Sequence, residues 1–202
     1  MVEAMTPSGP LTSGQIAKFQ ELLAAALRKS GLPSAPVQQI LETRSEELVS
    51  GLVAGLRTMV EAIAEMFSRH VTVNLSRTPQ QALDATDRQQ YVSADVVAAM
   101  PRGENIKSEV FFFKLGRYVS DNKLDKEYDL RGLKPVDPVT LSAVNEADPA
   151  FADKHPNGTH FKDADGNWCF ATFSRWYGER GVFVDRGDRA WLDDWWFAGV
   201  RK

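Results

Sequence analysis

Cysteine is almost missing from this chain: Cys169 is the only one in 202 residues. A disulfide within the chain is therefore excluded, and a reducing compartment is favoured. Histidine is scarce too, with three in all, so a zinc site of about four N, S or O ligands has little to draw on. No apolar run approaches the roughly 18–20 residues that cross a bilayer, and no membrane partner is expected. Basic residues are not in excess: 24 Lys and Arg stand against 27 Asp and Glu, for a net charge of −3. That balance argues against nucleic acid as a partner. Residues 1–14 lack both the basic and the apolar stretch of a secretory leader, so a cytoplasmic location is expected. No cofactor fingerprint is visible, and none is expected to bind.

What the chain does have is tryptophan at one end. All five, Trp168, Trp176, Trp191, Trp195 and Trp196, fall in the last 35 residues. They separate an aromatic rear module from a front half rich in Ala, Leu and Val. Composition and punctuation divide the chain into a Gly/Pro/Ser/Thr tail (1–14), a helical region (15–70), a connecting segment with a short strand and helix (71–104) and an α+β domain (105–202).

In the helical region, Ile16, Phe19, Leu22, Leu23, Ala26 and Leu27 recur at helical spacing behind Thr12 or Ser13, and Gly31 and Pro33 end the run. A second helix is predicted from Ser34 to about Arg69, with a kink or a recapping point at Thr43–Ser45. Its apolar stripe includes Val37, Ile40, Leu48, Leu52, Leu56, Met59, Ile63 and Phe67. One short neighbour cannot cover so long a stripe. A helical hairpin docked on something else, or self-association through residues 34–69, is expected.

Strands are predicted at 70–75, 109–115, 168–173, 181–185 and 195–201, with helices after Thr78-Pro79, after Ser120-Asp121 and after Pro138. The adjacent Phe111, Phe112 and Phe113 would present aromatic rings on both faces of a strand, so both faces should be covered.

Three groups could carry chemistry. Cys169 with His155 and His160 is the one conceivable nucleophile–base set, against the plainer reading of a buried inert thiol. Asp163-Ala164-Asp165-Gly166-Asn167 opens like a calcium loop, but its twelfth position is Ser174 rather than a bidentate Glu. A tight turn is the simpler reading. Asp185/Asp188 and Asp193/Asp194, interleaved with Arg186 and Arg189, read as a solvated, salt-bridged loop.

Residues 132–141 (GLKPVDPVTL) match in outline a stretch of C-type-lectin-like domains, with Gly132, Pro135 and Leu141 in place. The terminal Trp196-Phe197-Ala198-Gly199-Val200-Arg201 is similar to their aromatic-to-Arg closing strand. Residues 105–202 thus resemble that family, in the bacterial form typified by formylglycine-generating enzymes and lectin-like ligand-binding proteins. The end of the chain also resembles the aromatic-rich tails of other bacterial proteins, which carry no activity over.

The resemblance implies a mixed domain of short antiparallel strands, with 109–115 and 195–201 paired and the turns ahead of the terminus presented for contact. The family's paired cysteines and calcium-binding motif are missing, so calcium-dependent sugar binding is not implied. The expected function is a non-enzymatic binding module whose partner is another protein. Its aromatic/Arg/Asp surface would comprise Arg175, Trp176, Tyr177, Arg180, Asp185, Arg186, Asp188, Arg189, Trp191, Asp193 and Asp194. An enzyme using Cys169 or the Asp cluster, and a subunit assembled through the 34–69 helix, are the alternatives.

Overall fold

The computed structural model describes residues 10–64, 66–187 and 190–202. They form two compact units, divided after Ala64. The first is helical: α1 (Ser13–Lys29), α2 (Ser34–Thr43) and α3 (Ser45–Ala64). Thr12 caps α1 through a reciprocal capping box with Gln15, which satisfies two of the amide groups that a helix start leaves free. The predicted single helix over 34–69 is broken at Arg44 and ends at Ala64, because residues from Phe67 onward are strand. Both α1 and α2 bury no side chain. None of the described helices is long and apolar enough to cross a membrane.

The second unit is α+β. It runs through β1 (Phe67–Thr72), α4 (Pro79–Asp84), β2 (Gln89–Val92), α5 (Ala94–Ala98), β3 (Lys107–Lys114), β4 (Val119–Ser120) and α6 (Asp121–Leu130). It continues through β5 (Leu133–Pro135), α7 (Pro138–Ala147), α8 (Phe151–Lys154), β6 (Asn157–Lys162), β7 (Trp168–Trp176), β8 (Glu179–Arg186), β9 (Ala190–Trp191) and β10 (Trp196–Arg201). Eight strands make one mixed sheet in the order β1-β3-β10-β6-β7-β8-β2, with β5 also on β10. β4 and β9 form a separate pair.

The expected pairing of the aromatic strand with the last strand is present: β10 lies antiparallel to β3, with Phe197 opposite Phe113. The strand expected at 70–75 begins three residues earlier, at Phe67, inside the region read as helical, and the segment read as a connection supplies β2 to the same sheet. β6, which sequence patterning missed, is central. It pairs parallel with β10 and antiparallel with β7.

Alternation along the strands sorts side chains onto two faces. One face packs Phe112, Ala171, Phe173, Val182, Val184 and Ala198 under α4, α5, α7 and α8. The other packs Phe113, Phe170, Trp191, Trp195 and Phe197 under α6, where Leu124 and Tyr128 complete the cluster. The three phenylalanines do cover both faces, as their adjacency required. On the tryptophan face, Gly158 of β6 lets the Trp191 ring lie close on the sheet. A Cβ at 158 would stand 2.8 Å from Thr172 Cγ2 and 2.9 Å from Trp191 Cζ3.

Replacing Gly158 with Ala is expected to cost about 1–3 kcal/mol, the usual penalty for overpacking. A lowered denaturant midpoint would register it; an unchanged midpoint would mean that Trp191 is not seated on this residue.

Candidate functional site

On the tryptophan face, β6 presents Gly158, His160 and Lys162. His160 is buried and stacks flat on Trp168, with ring centroids 4.6 Å apart and planes 10° apart. Its Nδ1 lies 2.7 Å from Oδ1 of Asp121, the first residue of α6. The same oxygen accepts a hydrogen bond from Trp191 Nε1 at 2.8 Å. An ionised carboxylate only accepts, so Nδ1 carries a proton. Nε2 faces Asp125 Oδ1, one turn further along α6, at 3.0 Å, outside hydrogen-bond alignment.

An Asp–His pair of this kind can orient a general base. Here, however, the imidazole side chain has no exposed surface, and its second nitrogen meets another carboxylate. The arrangement therefore joins α6, β6 and the segment 190–195 and presents no reactive nitrogen to solvent.

The joint fixes the wall of a groove. Trp191 is held inward, so its neighbours Ala190 and Leu192 line the opening together with Trp195. Thr172, Ser174 and Trp176 of β7 and Phe183 of β8 complete an open groove of about 440 Å³. These seven lining residues include no charged side chain among the described residues. Thr172 and Ser174 are buried at its floor, and Thr172 Oγ1 has no hydrogen-bond partner among the described residues. Tyr91 of β2 stacks on Phe183 at 4.6 Å on the same side of the sheet.

Next to the groove, β7 turns into β8 through Tyr177 and Gly178, at φ 49° and 88°. Trp176 pairs with Glu179 across this two-residue loop, the left-handed turn that suits a hairpin's twist. Gly178 adopts such a backbone freely; a bulky residue such as Tyr177 does so at a cost. Tyr177 is fully exposed and Trp176 is 56% exposed.

The expected contact residues separate into distinct groups. Trp176 and Tyr177 are at the surface, and Asp193 and Asp194 are exposed in the turn before β10. Trp191 does not belong with them: it has no exposed surface and is core, because its indole N–H is consumed by Asp121. The arginines are engaged internally. Arg180 grips Asp153 at 2.7 and 2.9 Å, and Arg175 approaches the same carboxylate at 3.4 Å, which ties the β7–β8 hairpin to α8. Arg186 pairs with Asp163 at 2.8 Å and Asp95 at 3.1 Å. Asp185 accepts from Ser93 Oγ at 2.6 Å. Asp188 and Arg189 lie outside the described residues.

The Cys169 and histidine set is not assembled. Cys169 belongs to the helix-covered core, whereas His160, opposite Phe170 in the ladder, points to the other face. His155 packs among Phe67, Phe151 and Trp196, and burial lowers its pKa. Burial raises the pKa of the Cys169 thiol, which suppresses the reactive thiolate. The 163–167 segment is a turn: Asp163 Oδ1 accepts from the backbone amides of Asp165 and Asn167 at 3.0 and 2.9 Å. Its other oxygen takes Arg186, whose hydrogen bond holds the Asp163 carboxyl down to about 2.

The groove residues Thr172, Ser174, Phe183, Leu192 and Trp195 were not among the contact residues expected from sequence. Alternation along 168–173 and 181–185 would have put Thr172 and Phe183 on the face away from Ala171 and Val182. Comparison with known proteins adds nothing to this geometry: no family model, no curated protein and no solved structure matches the chain.

Asp121→Ala would leave two buried donors, His160 Nδ1–H and Trp191 Nε1–H, without their shared acceptor. A loss of about 3 kcal/mol is expected, with weakened near-ultraviolet dichroism from the tryptophans. A loss below about 1 kcal/mol, the value of an ordinary surface contact, would remove the carboxylate from its role as a joint.

Proposed function

We propose that this chain is a binding module without catalysis of its own, and that it engages another protein through the β7–β8 end of the tryptophan face. The observation that carries the reading is an uncharged apolar groove beside two aromatic side chains, Trp176 and Tyr177, left in water. Neither ring belongs to a core cluster. Exposed Trp and Tyr around an apolar pocket are the residues that dominate protein–protein affinity. The position of Tyr177 adds weight, since both its solvation and its backbone disfavour a tyrosine there. The antiparallel pairing of β3 with β10 supports the C-type-lectin-like reading of residues 105–202. A cytoplasmic setting fits the single, buried thiol.

Self-association through residues 34–69 is a second reading with its own observation. Val49, Leu52, Leu56, Met59 and Ile63 follow one another at spacings of three and four along α3. Four of them are exposed apolar side chains. That is the seam of a coiled coil.

A photo-crosslinking phenylalanine analogue at position 177 is expected to trap a discrete protein adduct in extract of the source organism, and Trp176→Ala should abolish it. The same analogue at Tyr118, an exposed aromatic elsewhere, should trap none. Equal adducts at both sites, or none at 177, would refute the proposed surface. For the second reading, the full chain should show at least twice the monomer mass in solution and residues 66–202 the mass of a monomer. A monomeric full chain would eliminate it.

A further inference from the structure

The apolar stripe of α3 is wider than a coiled-coil seam needs. Val49, Leu52, Leu56, Met59 and Ile63 make the seam. Val53 and Val60 extend it along one edge and are 50% and 47% exposed. A narrow seam serves one neighbouring helix, whereas a wider stripe marks a helix with more than one. The opposite edge has a neighbour already, since Leu48 and Leu52 share a groove with Ile40 of α2. The Val53–Val60 edge lies open. α1 has the same need. Ile16, Phe19, Leu22 and Leu27 lie on one side of it, 42% to 56% exposed, and the helix buries no side chain.

Charge matches these two helices to each other. α1 holds Lys18, Arg28 and Lys29 against Glu21, and α3 holds Glu46, Glu47 and Glu61 against Arg57. Read from its C-terminal end, α1 is basic, acidic and basic at Lys29, Glu21 and Lys18. Read from its N-terminal end, α3 is acidic, basic and acidic at Glu46, Arg57 and Glu61, all bordering the Val53–Val60 edge. The helical rise puts the α1 charges at about 0, 12 and 17 Å and the α3 charges at about 0, 17 and 23 Å. Laid antiparallel, the three pairs therefore fall within about 3 Å of register. Within one chain these charges do not meet: Lys18 pairs with Glu21 of its own helix.

Resting on the self-association reading above, we infer that the Val53–Val60 edge of α3 receives α1 of a second copy, antiparallel, and that the exchange is mutual. Each α3 then meets its counterpart through the seam and the other copy's α1 along the edge, a four-helix arrangement of two chains. A second copy is the occupant because this chain itself supplies the complementary order of charges, and charges flanking an apolar seam set partner and orientation.

Lys18→Glu in one full chain and Glu61→Lys in another test this, with self-association read by sedimentation equilibrium. Neither change opposes the helix dipole, because Lys18 lies in the first half of α1 and Glu61 in the last turn of α3. Each variant alone is expected to self-associate about tenfold more weakly than the native chain, with two pairs per dimer turned from attraction to repulsion. An equimolar mixture should recover the native affinity as a heterodimer, since each α1 then meets an α3 of opposite charge. Should either variant lose helix by circular dichroism, Glu21→Arg mixed with Arg57→Glu decides in the same way.

Variants that associate as tightly as the native chain would overturn the exchange of α1 and spare self-association through α3. Weakening that the mixture does not reverse would overturn it as well, by placing α1 on the α3 of its own chain. A monomeric native chain would remove both the exchange and the reading on which it rests.

Discussion

One carboxylate oxygen organises the tryptophan face. Asp121 Oδ1 accepts from His160 Nδ1 and from Trp191 Nε1, so α6, the central strand β6 and the segment leading to β10 meet at a single buried atom. These elements are 39 and 70 residues apart in sequence, and no local propensity would bring them together. Burial makes the joint consequential. In a low dielectric a satisfied polar network rigidifies its surroundings, whereas a broken one leaves donors stranded. The aromatic packing around it adds area: Trp168 lies on the imidazole, and Trp191 lies on Gly158 with its edge toward Trp195 and Phe197. Trp191 turned inward is also what leaves Ala190 and Leu192 facing the groove. The stability of the core and the shape of the surface thus share one constraint.

The two faces of the sheet meet different demands. On the helix-covered face the strands contribute Ala171, Phe173, Val182 and Val184, all closed over by helices. On the other face α6 and the β4–β9 pair cover the β3–β10–β6 part, whereas toward β8 and β2 Tyr91 and Trp176 stand exposed. There the strands alternate hydroxyls with aromatics: Thr172 and Ser174 run along β7, Phe183 lies on β8, and Tyr91 lies on Phe183. An outer strand surface that a fold merely exposes to water would be expected to carry charged residues. The surface here is apolar and aromatic, and the arginines of β8, Arg180 and Arg186, are held in pairs with Asp153, Asp163 and Asp95.

Local physics makes much of the framework legible in the sequence. The run of three phenylalanines announces a strand covered on both sides. Thr78-Pro79 and Asp137-Pro138 announce helix starts, and Asp165-Gly166 announces a hairpin. The break near Arg44 follows from the interrupted stripe. What stays hidden is non-local. β6 reads NGTHFK, too polar and too glycine-bearing to look like a central strand, because Gly158 serves Trp191 and His160 serves Asp121. Composition also merges two kinds of tryptophan. Trp176 and Trp191 look alike in a list of residues, yet one is an exposed wall and the other a core anchor. The arginines mislead in the same way, since their carboxylate partners lie 22 to 91 residues away.

The residues that neither core requires are the informative ones. A hairpin closed by two left-handed residues is most at ease with Asn-Gly, yet this one carries Tyr177-Gly178 and sets the tyrosine wholly in water. Trp176, one residue earlier, exposes more than half of its surface although its strand has a core to contribute to. Thr172 keeps a hydroxyl where valine would fill the same space without an unpaired oxygen. Each choice runs against folding stability, and all three lie along one stretch of β7 and its turn. Departures from local preference that collect at one place, while the rest of the sheet obeys the rules, mark a place where something other than the fold sets the residue. The proposed contact surface at this end of the tryptophan face accounts for the exposed rings of Trp176 and Tyr177, which packing does not.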